Sequence, residues 1–164
     1  MPPTSSTPAQ PAHGSLPRWL KPANRLLLAL QRLGMRTGTI HVLTVPGRTS
    51  GKPRRTPVSV LTVGGARYIV GGMADMDWVR NARAQGWGTL AYGRRQERVR
   101  LVELPVAERG AILRAFPRLV PGGVSFFRGL YDLPRRRAAL PDAFAALATQ
   151  VTAFRLEPDE ASAR

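Results

Sequence analysis

The chain has 164 residues, 43% of them hydrophobic, enough for one domain with a real core and too short to expect two. It has no cysteine and only two histidines, His13 and His41, which rules out disulfides and thiolate chemistry and leaves too few ligands for a zinc or iron centre. Its 25 basic residues against 10 acidic give a net charge of +15, and because only Lys21 and Lys52 are lysines, 23 of the cations are arginines.

Arginine presents a planar fork that suits phosphate and carboxylate, so a charge of this kind narrows the partner to an anion: a polyanionic ligand, nucleic acid or an anionic membrane surface. Coding bias toward Arg, Ala, Gly and Pro accounts for part of the same composition. The charge is uneven along the chain, since the first acidic residue is Asp75 and ten cations lie between Arg18 and Arg67. No Ser-His-Asp order and no paired-carboxylate spacing stands out, so hydrolytic chemistry has little support.

Residues 1–17 contain five prolines, three serines and no acid, and read as a disordered leader without the apolar segment of a signal peptide. Residues 18–36 read as an amphipathic helix, with Ala23, Leu26, Leu27, Leu30 and Leu33 at helical spacing. Its longest apolar run, Leu26 to Leu30, is far short of the ~20 residues a membrane span needs. Trp19 beside Arg18, Lys21 and Arg25 allows either a helix packed on the core or one lying in a membrane interface.

Residues 37–158 form the expected folded domain, and residues 159–164 a tail. Ile40 to Val45 and Pro57 to Val63 carry the β-branched enrichment of strands, joined by a glycine-rich cationic loop. Gly64-Gly65 predicts a tight hairpin into a return strand from Ala66 to Val70. Asp77 is placed to cap a short helix running to Gln85. A second hairpin follows, Trp87 to Tyr92 and Gln96 to Leu104. After it come a helix from Pro105 to about Phe116, a stretch broken by Pro and Gly, a helix from Arg135 to Ala148, and a last strand from Val151 to Leu156. Strands arriving as hairpins predict an α+β fold, mainly an antiparallel barrel with flanking helices rather than a doubly wound sheet.

The loop Gly47-Arg48-Thr49-Ser50-Gly51-Lys52-Pro53-Arg54-Arg55-Thr56-Pro57 is built to hold a polyanion. Its glycines let the backbone approach a ligand closely, while its hydroxyls, free N–H groups and guanidinium forks can bond phosphate or carboxylate oxygens. It is not a P-loop: Pro53 follows Lys52 where Ser or Thr is required, and no long helix comes next. A nucleic-acid reader would suit the charge, but no recognition helix, aromatic-interleaved sheet or zinc spacing accompanies the loop. On composition alone, an exposed hairpin tip remains open.

The run Leu43 to Pro57, followed by Tyr68-Ile69-Val70 and by Trp78-Val79-Arg80-Asn81-Ala82-Arg83, resembles the deazaflavin (F420)-dependent nitroreductase and quinone reductase family. The resemblance runs from about Ile40 to Glu103, with an echo in Val151 to Pro158. It implies a split β-barrel of the flavin-reductase type binding coenzyme F420. Arg48, Thr49, Ser50, Lys52, Arg54 and Arg55 would meet the coenzyme's acidic tail. Thr56, Pro57, Val58 and Ser59 would run along the cofactor, Gly71, Gly72, Met73 and Ala74 would face its ring or phosphate, and Trp78 and Asn81 would close the site. The segment between Val70 and Trp78 is shorter than the family's, with Met73 and Ala74 where Ser and Lys are expected.

The implied reaction is hydride transfer to a small-molecule acceptor such as a quinone, nitro compound or activated enone, with a proton from Tyr131, Tyr92 or water. Tyr131 is the candidate catalytic residue. The competing expectation is a non-catalytic barrel, or one binding FMN, haem or a lipid. No nucleic-acid partner and no metal are expected, the protein would be a monomer or homodimer, and its location would be cytoplasmic with a possible peripheral membrane contact through residues 18–36.

Overall fold

The structure, a computed structural model, describes residues 20–36 and 38–160. The expected leader, Trp19 and most of the tail lie outside them. Six antiparallel strands close into a barrel in the order β1-β2-β3-β6-β5-β4. They are β1 (Ile40–Pro46), β2 (Pro53–Val63), β3 (Ala66–Gly71), β4 (Trp87–Tyr92), β5 (Arg95–Glu103) and β6 (Thr152–Pro158). Pairing of β1 with β4, through Val42–Ala91 to Thr44–Thr89, shuts the sheet and leaves no open edge.

Alternation along the strands divides the apolar residues between two cores. Leu43 and Val45 of β1, Val58 and Val60 of β2, Ile69, Leu90, Val99, Phe154 and Leu156 fill the barrel. The helix α2 (Asp77–Gln85) caps that interior, because Trp78, Val79 and Ala82 turn one face into it and are nearly inaccessible. Gly86 stops α2 with φ 69°, donating its N–H to the Ala82 carbonyl at 2.8 Å.

A second core lies outside the barrel, where Leu61 of β2 and Ala153 of β6 meet three helices. These are α3 (Val106–Leu119), α4 (Val124–Leu130) and α5 (Leu140–Ala145). Phe116, Phe127 and Phe144 cluster there, with ring centroids 5.0–5.4 Å apart: Phe116 stacks on Phe144 and meets Phe127 edge-on. Arg109 of α3 is buried and donates to the carbonyls of Leu104 and Val151 at 2.9 and 3.2 Å, tying these helices to the β5 and β6 ends.

Several elements differ from the sequence expectation. The strand β2 begins at Pro53, not Pro57, because pairing with β1 continues to Pro46–Pro53, and proline is tolerated as the first residue of a strand. Asp77 is the first residue of α2 rather than its cap; Met76 precedes it and makes no side-chain capping bond. The broken stretch holds α4, and the helix expected over Arg135 to Ala148 reduces to a 3-10 turn at Arg137–Ala139 followed by α5. The first helix, α1 (Leu20–Arg32), turns Leu26 outward, and Leu33 just beyond it is also exposed, at 61% and 72%. The expected apolar stripe is therefore only partly buried.

Candidate functional site

The loop between β1 and β2 is shorter and tighter than its cations suggest. Gly47 donates its N–H to the Lys52 carbonyl at 2.9 Å, and Gly51 donates to the Gly47 carbonyl at 2.8 Å. Gly51 sits at φ 65°, where an L side chain is strained, and a Cβ at Gly47 would lie 2.9 Å from Ser50 Oγ. The Ser50 hydroxyl accepts the Lys52 N–H at 3.3 Å. The turn thus closes on its own backbone and presents its side chains outward.

From there β2 carries Arg54 and Arg55 onto opposite faces of the hairpin, in register with Val45 and Thr44. On the other side stands α2. Asn81, 4% exposed, accepts two hydrogen bonds at Oδ1 from Arg48, one from its backbone N–H at 3.1 Å and one from Nη1 at 3.0 Å. Asp77 adds an ion pair to the same guanidinium at 3.3 Å.

Between loop, strand and helix lies an open cleft of about 730 Å³ lined by Arg48, Thr49, Ser50, Arg54, Arg55, Thr56, Trp78 and Asn81, with Leu28 of α1 at its edge. Asp77 is its sole carboxylate. Among the described residues Arg54 and Arg55 are in no ion pair, so at least two guanidinia stay available to an incoming anion.

A second compartment, about 230 Å³ and apolar, adjoins the first, sharing Thr56 and Trp78 as walls. Pro57, Val58 and Ser59 of β2 form one side, Val70 and Gly72 at the end of β3 another, and Phe116, Phe126 and Phe127 a third. Leu20, Asn24 and Leu27 of α1 complete it. Among the described residues no titratable side chain lines it. The site therefore offers a cationic cleft beside an apolar chamber, the two sharing Thr56 and Trp78 as walls.

The sequence-predicted residues divide accordingly. Arg48, Thr49, Ser50, Arg54, Arg55, Thr56, Trp78 and Asn81 meet in the cationic cleft; Pro57, Val58, Ser59 and Gly72 line the apolar compartment. Lys52, Gly71, Met73 and Ala74 line neither. Lys52 contributes its backbone to the turn. Gly71 is sealed in, since a Cβ there would meet Val79 and Thr152 within 3 Å. Met73 packs against the helical core, and the Ala74 carbonyl accepts a bond from Arg83 at 2.7 Å. Arg83 in turn is paired with Glu103, whose carboxyl it holds below the usual range.

Tyr131 also lies outside both compartments. It is buried and donates its hydroxyl to the Gly72 carbonyl at 2.7 Å, and burial pushes its ionisation up, with Asp75 adding to the effect. Tyr92, the other expected proton source, is at the far end of the barrel, stacked on His41 at 4.4 Å. The sequence reading missed Asp77 as a partner of Arg48, the inward residues of α1 and the whole of α4. Asp77 was the legible one, being one helical turn from Asn81.

The family described as F420H(2)-dependent quinone reductase matches residues 29–124, which include nearly all of the cationic cleft. No curated protein matches the chain. Among solved structures, one described as the F420-H2 dependent reductase FDR-A is 20% identical, covering 73% of this chain and 94% of that one, with a TM-score of 0.49. A chain described as a domain-swapped dimer is 18% identical, covering 85% and 97%, with a TM-score of 0.50. The haem storage protein HutZ of Vibrio cholerae is 9% identical, covering 82% and 89%, with a TM-score of 0.47. At 18% identity the domain-swapped chain speaks to the barrel fold alone, and the two with TM-scores below 0.5 carry no argument.

Proposed function

The chain belongs to the F420H(2)-dependent quinone reductase family and is an oxidoreductase, and on that premise we propose that it holds the reduced deazaflavin across the two compartments and passes a hydride to a quinone, nitro compound or activated enone. The observation that carries this reading is the junction at Thr56 and Trp78, where a cleft lined by guanidinia meets an apolar chamber. A ligand with an acidic tail and a flat ring system matches that pairing.

The residues fit the coenzyme on chemical grounds. Arg48, Arg54 and Arg55 supply bidentate donors for phosphate and carboxylate groups, and Thr49 and Ser50 add exposed hydroxyls. Thr56, Pro57, Val58, Ser59 and Gly72 continue the wall toward the ring. Bound there, the coenzyme supplies the hydride, which explains how a chain without cysteine or a carboxylate pair performs redox chemistry. The protein's part is placement: a closed barrel and a capped loop hold donor and acceptor in near-attack range. Among the described residues no titratable side chain lines the apolar compartment, so in this reading the proton would come from water, and Tyr131, bonded to the Gly72 carbonyl, would act by positioning it.

A peripheral membrane contact through α1 is a separate proposal, motivated by exposed Leu26, Leu33 and Met35 near Lys21, Arg25 and Arg36 in the sequence. No helix among the described residues is long and apolar enough to cross a membrane. Co-sedimentation with anionic vesicles, lost in Leu26→Glu/Leu33→Glu, checks this contact.

The central test is a fluorescence titration of oxidised coenzyme F420 beside flavin mononucleotide at two salt concentrations. Saturable, salt-weakened binding of the deazaflavin supports the reading. Preference for the flavin, or binding of neither, would replace it with the alternative barrel ligands.

A further inference from the structure

Among the described residues Asp77 is the one carboxylate in a cleft otherwise lined by cations, hydroxyls, the Asn81 amide and apolar groups, and it pairs with Arg48, the cation tied to Asn81. Arg48 is anchored from behind, with its backbone N–H and Nη1 both bonded to the buried Asn81 oxygen. From the open side, Asp77 Oδ1 lies 3.3 Å from both Nη1 and Nη2. The Asp77 side chain is 87% exposed, so little holds it there besides Arg48. Among the described residues Arg54 and Arg55, on β2, have no such partner.

We propose that Asp77 is a specificity-determining residue: it stands as an internal counter-anion on Arg48, so that a compact phosphate competes poorly for the cleft while an extended polyanion with further contacts displaces it. This deepens the cofactor assignment above and rests on it. A small anion must sit beside Asp77 to use Arg48, and meets a like charge at close range. An extended ligand spreads its charges toward Arg54 and Arg55 and gains separate contacts in the apolar compartment, so the same repulsion is a smaller share of its binding. Asp77 therefore lowers affinity for all anions but lowers it more for compact ones.

The ordinary role of Asp77 would be to favour the start of α2, where a carboxylate in the first turn interacts well with the helix dipole. That role affects stability and predicts no gain in anion binding, which separates the two. The experiment measures pyrophosphate and oxidised coenzyme F420 separately, by calorimetry, on the wild type, Asp77→Asn and Asp77→Glu at low and high salt, with a thermal melt of each. At low salt we expect Asp77→Asn to bind pyrophosphate roughly three- to tenfold tighter, the size of one like charge removed at close range in a solvated site. The coenzyme should gain less, so that its preference over pyrophosphate shrinks. Asp77→Glu should keep the wild-type pattern, and high salt should erase the difference. Unchanged or weaker pyrophosphate binding by Asp77→Asn overturns the proposal. Failure of the wild type to bind the coenzyme overturns the cofactor assignment instead, while the pyrophosphate arm still decides the role of Asp77.

Discussion

One oxygen of Asn81 receives both the backbone N–H and the guanidinium of Arg48, at 3.1 and 3.0 Å, joining the cationic loop to the helix that caps the barrel. A conformation of the loop is thereby fixed from a rigid element, which spares the ligand the cost of ordering it. Asn81→Leu removes the acceptor and leaves a half-buried N–H without its partner, a change worth about 1–3 kcal/mol. The expected outcome is a lower melting temperature together with coenzyme affinity reduced roughly tenfold. Equal affinity in the variant would mean that Arg48 needs no such anchor.

Much of this arrangement could be read from the chain before folding. In the Gly47 to Lys52 loop the glycines that make the turn sit beside the cation and hydroxyls that line the cleft, so sequence alone marks it. The same holds for the hairpin at Gly64-Gly65 and for the barrel, since β-branched alternation and turn residues agree there. The start of β2 was hidden because Pro53, Arg54 and Arg55 are poor strand formers, and only the partner β1 makes them extended. Helix α4 was hidden by Pro121-Gly122-Gly123, which locally signals a break but supplies a 3-10 turn feeding the helix. Which way α1 faces is decided by what covers it, so Leu26 and Leu33 could not be told from core positions by spacing. Asn81 was expected to close the site; it lines the cleft and also holds Arg48, a bond that depends on three-dimensional placement.

Gly72 and Phe126 are predicted to be energetically coupled. A Cβ on Gly72 would fall 2.5 Å from Cε1 of Phe126, a ring that also walls the apolar compartment. Gly72→Ala alone overpacks the contact and should cost about 1–3 kcal/mol. Adding Phe126→Ala should recover part of that loss, giving a non-additive double-mutant cycle by chemical denaturation. Strict additivity would show that the strand end relaxes by another route.

Phe126→Ala by itself enlarges the apolar compartment, where in this reading the acceptor would meet the ring, without touching the guanidinia. Its expected signature is a shift in kcat/KM of about tenfold toward bulkier acceptors, within the range that pocket volume changes produce. Coenzyme affinity should fall by less than this, because the guanidinia that meet its acidic tail are untouched. A parallel loss for every acceptor, large or small, would instead indicate that α4 has collapsed or that acceptors bind elsewhere.

Tyr131→Phe separates a positioning role from proton donation. The hydroxyl bond to the Gly72 carbonyl should be worth about 1 kcal/mol net. Burial raises the phenol above its ordinary value of 10, so the folded state favours the neutral form, and the stability this confers is present below pH 10 and lost as the pH climbs through the folded value. The phenylalanine variant should melt lower at neutral pH and lack that alkaline loss. The shape of its kcat profile against pH should match the wild type. A missing basic limb in that profile would restore Tyr131 as a proton donor.

At the barrel end away from the cationic loop, His41 stacks on Tyr92 at 4.4 Å and bonds through Nδ1 to the Thr39 carbonyl at 2.9 Å. Arg36 lies over the Tyr92 ring, and Arg67, paired with Glu97, adds a further positive field. Burial is the main cause that lowers the His41 pKa from its ordinary 6.5; Arg67 lowers it further, while the Thr39 bond and Glu97 oppose the shift. The folded protein consequently prefers neutral imidazole, and the unfolded chain binds more protons wherever the pH lies between the two values. Stability should therefore hold above pH 6.5 and decline as the pH falls through the folded value. Thermal melts of the wild type and His41→Gln between pH 8 and pH 5 check this, the variant losing less over that interval. Because the Gly47 to Lys52 loop is at the opposite end of β1, coenzyme affinity of the folded protein should show no matching change; identical pH slopes for the two proteins would place the acid sensitivity in the carboxylates instead.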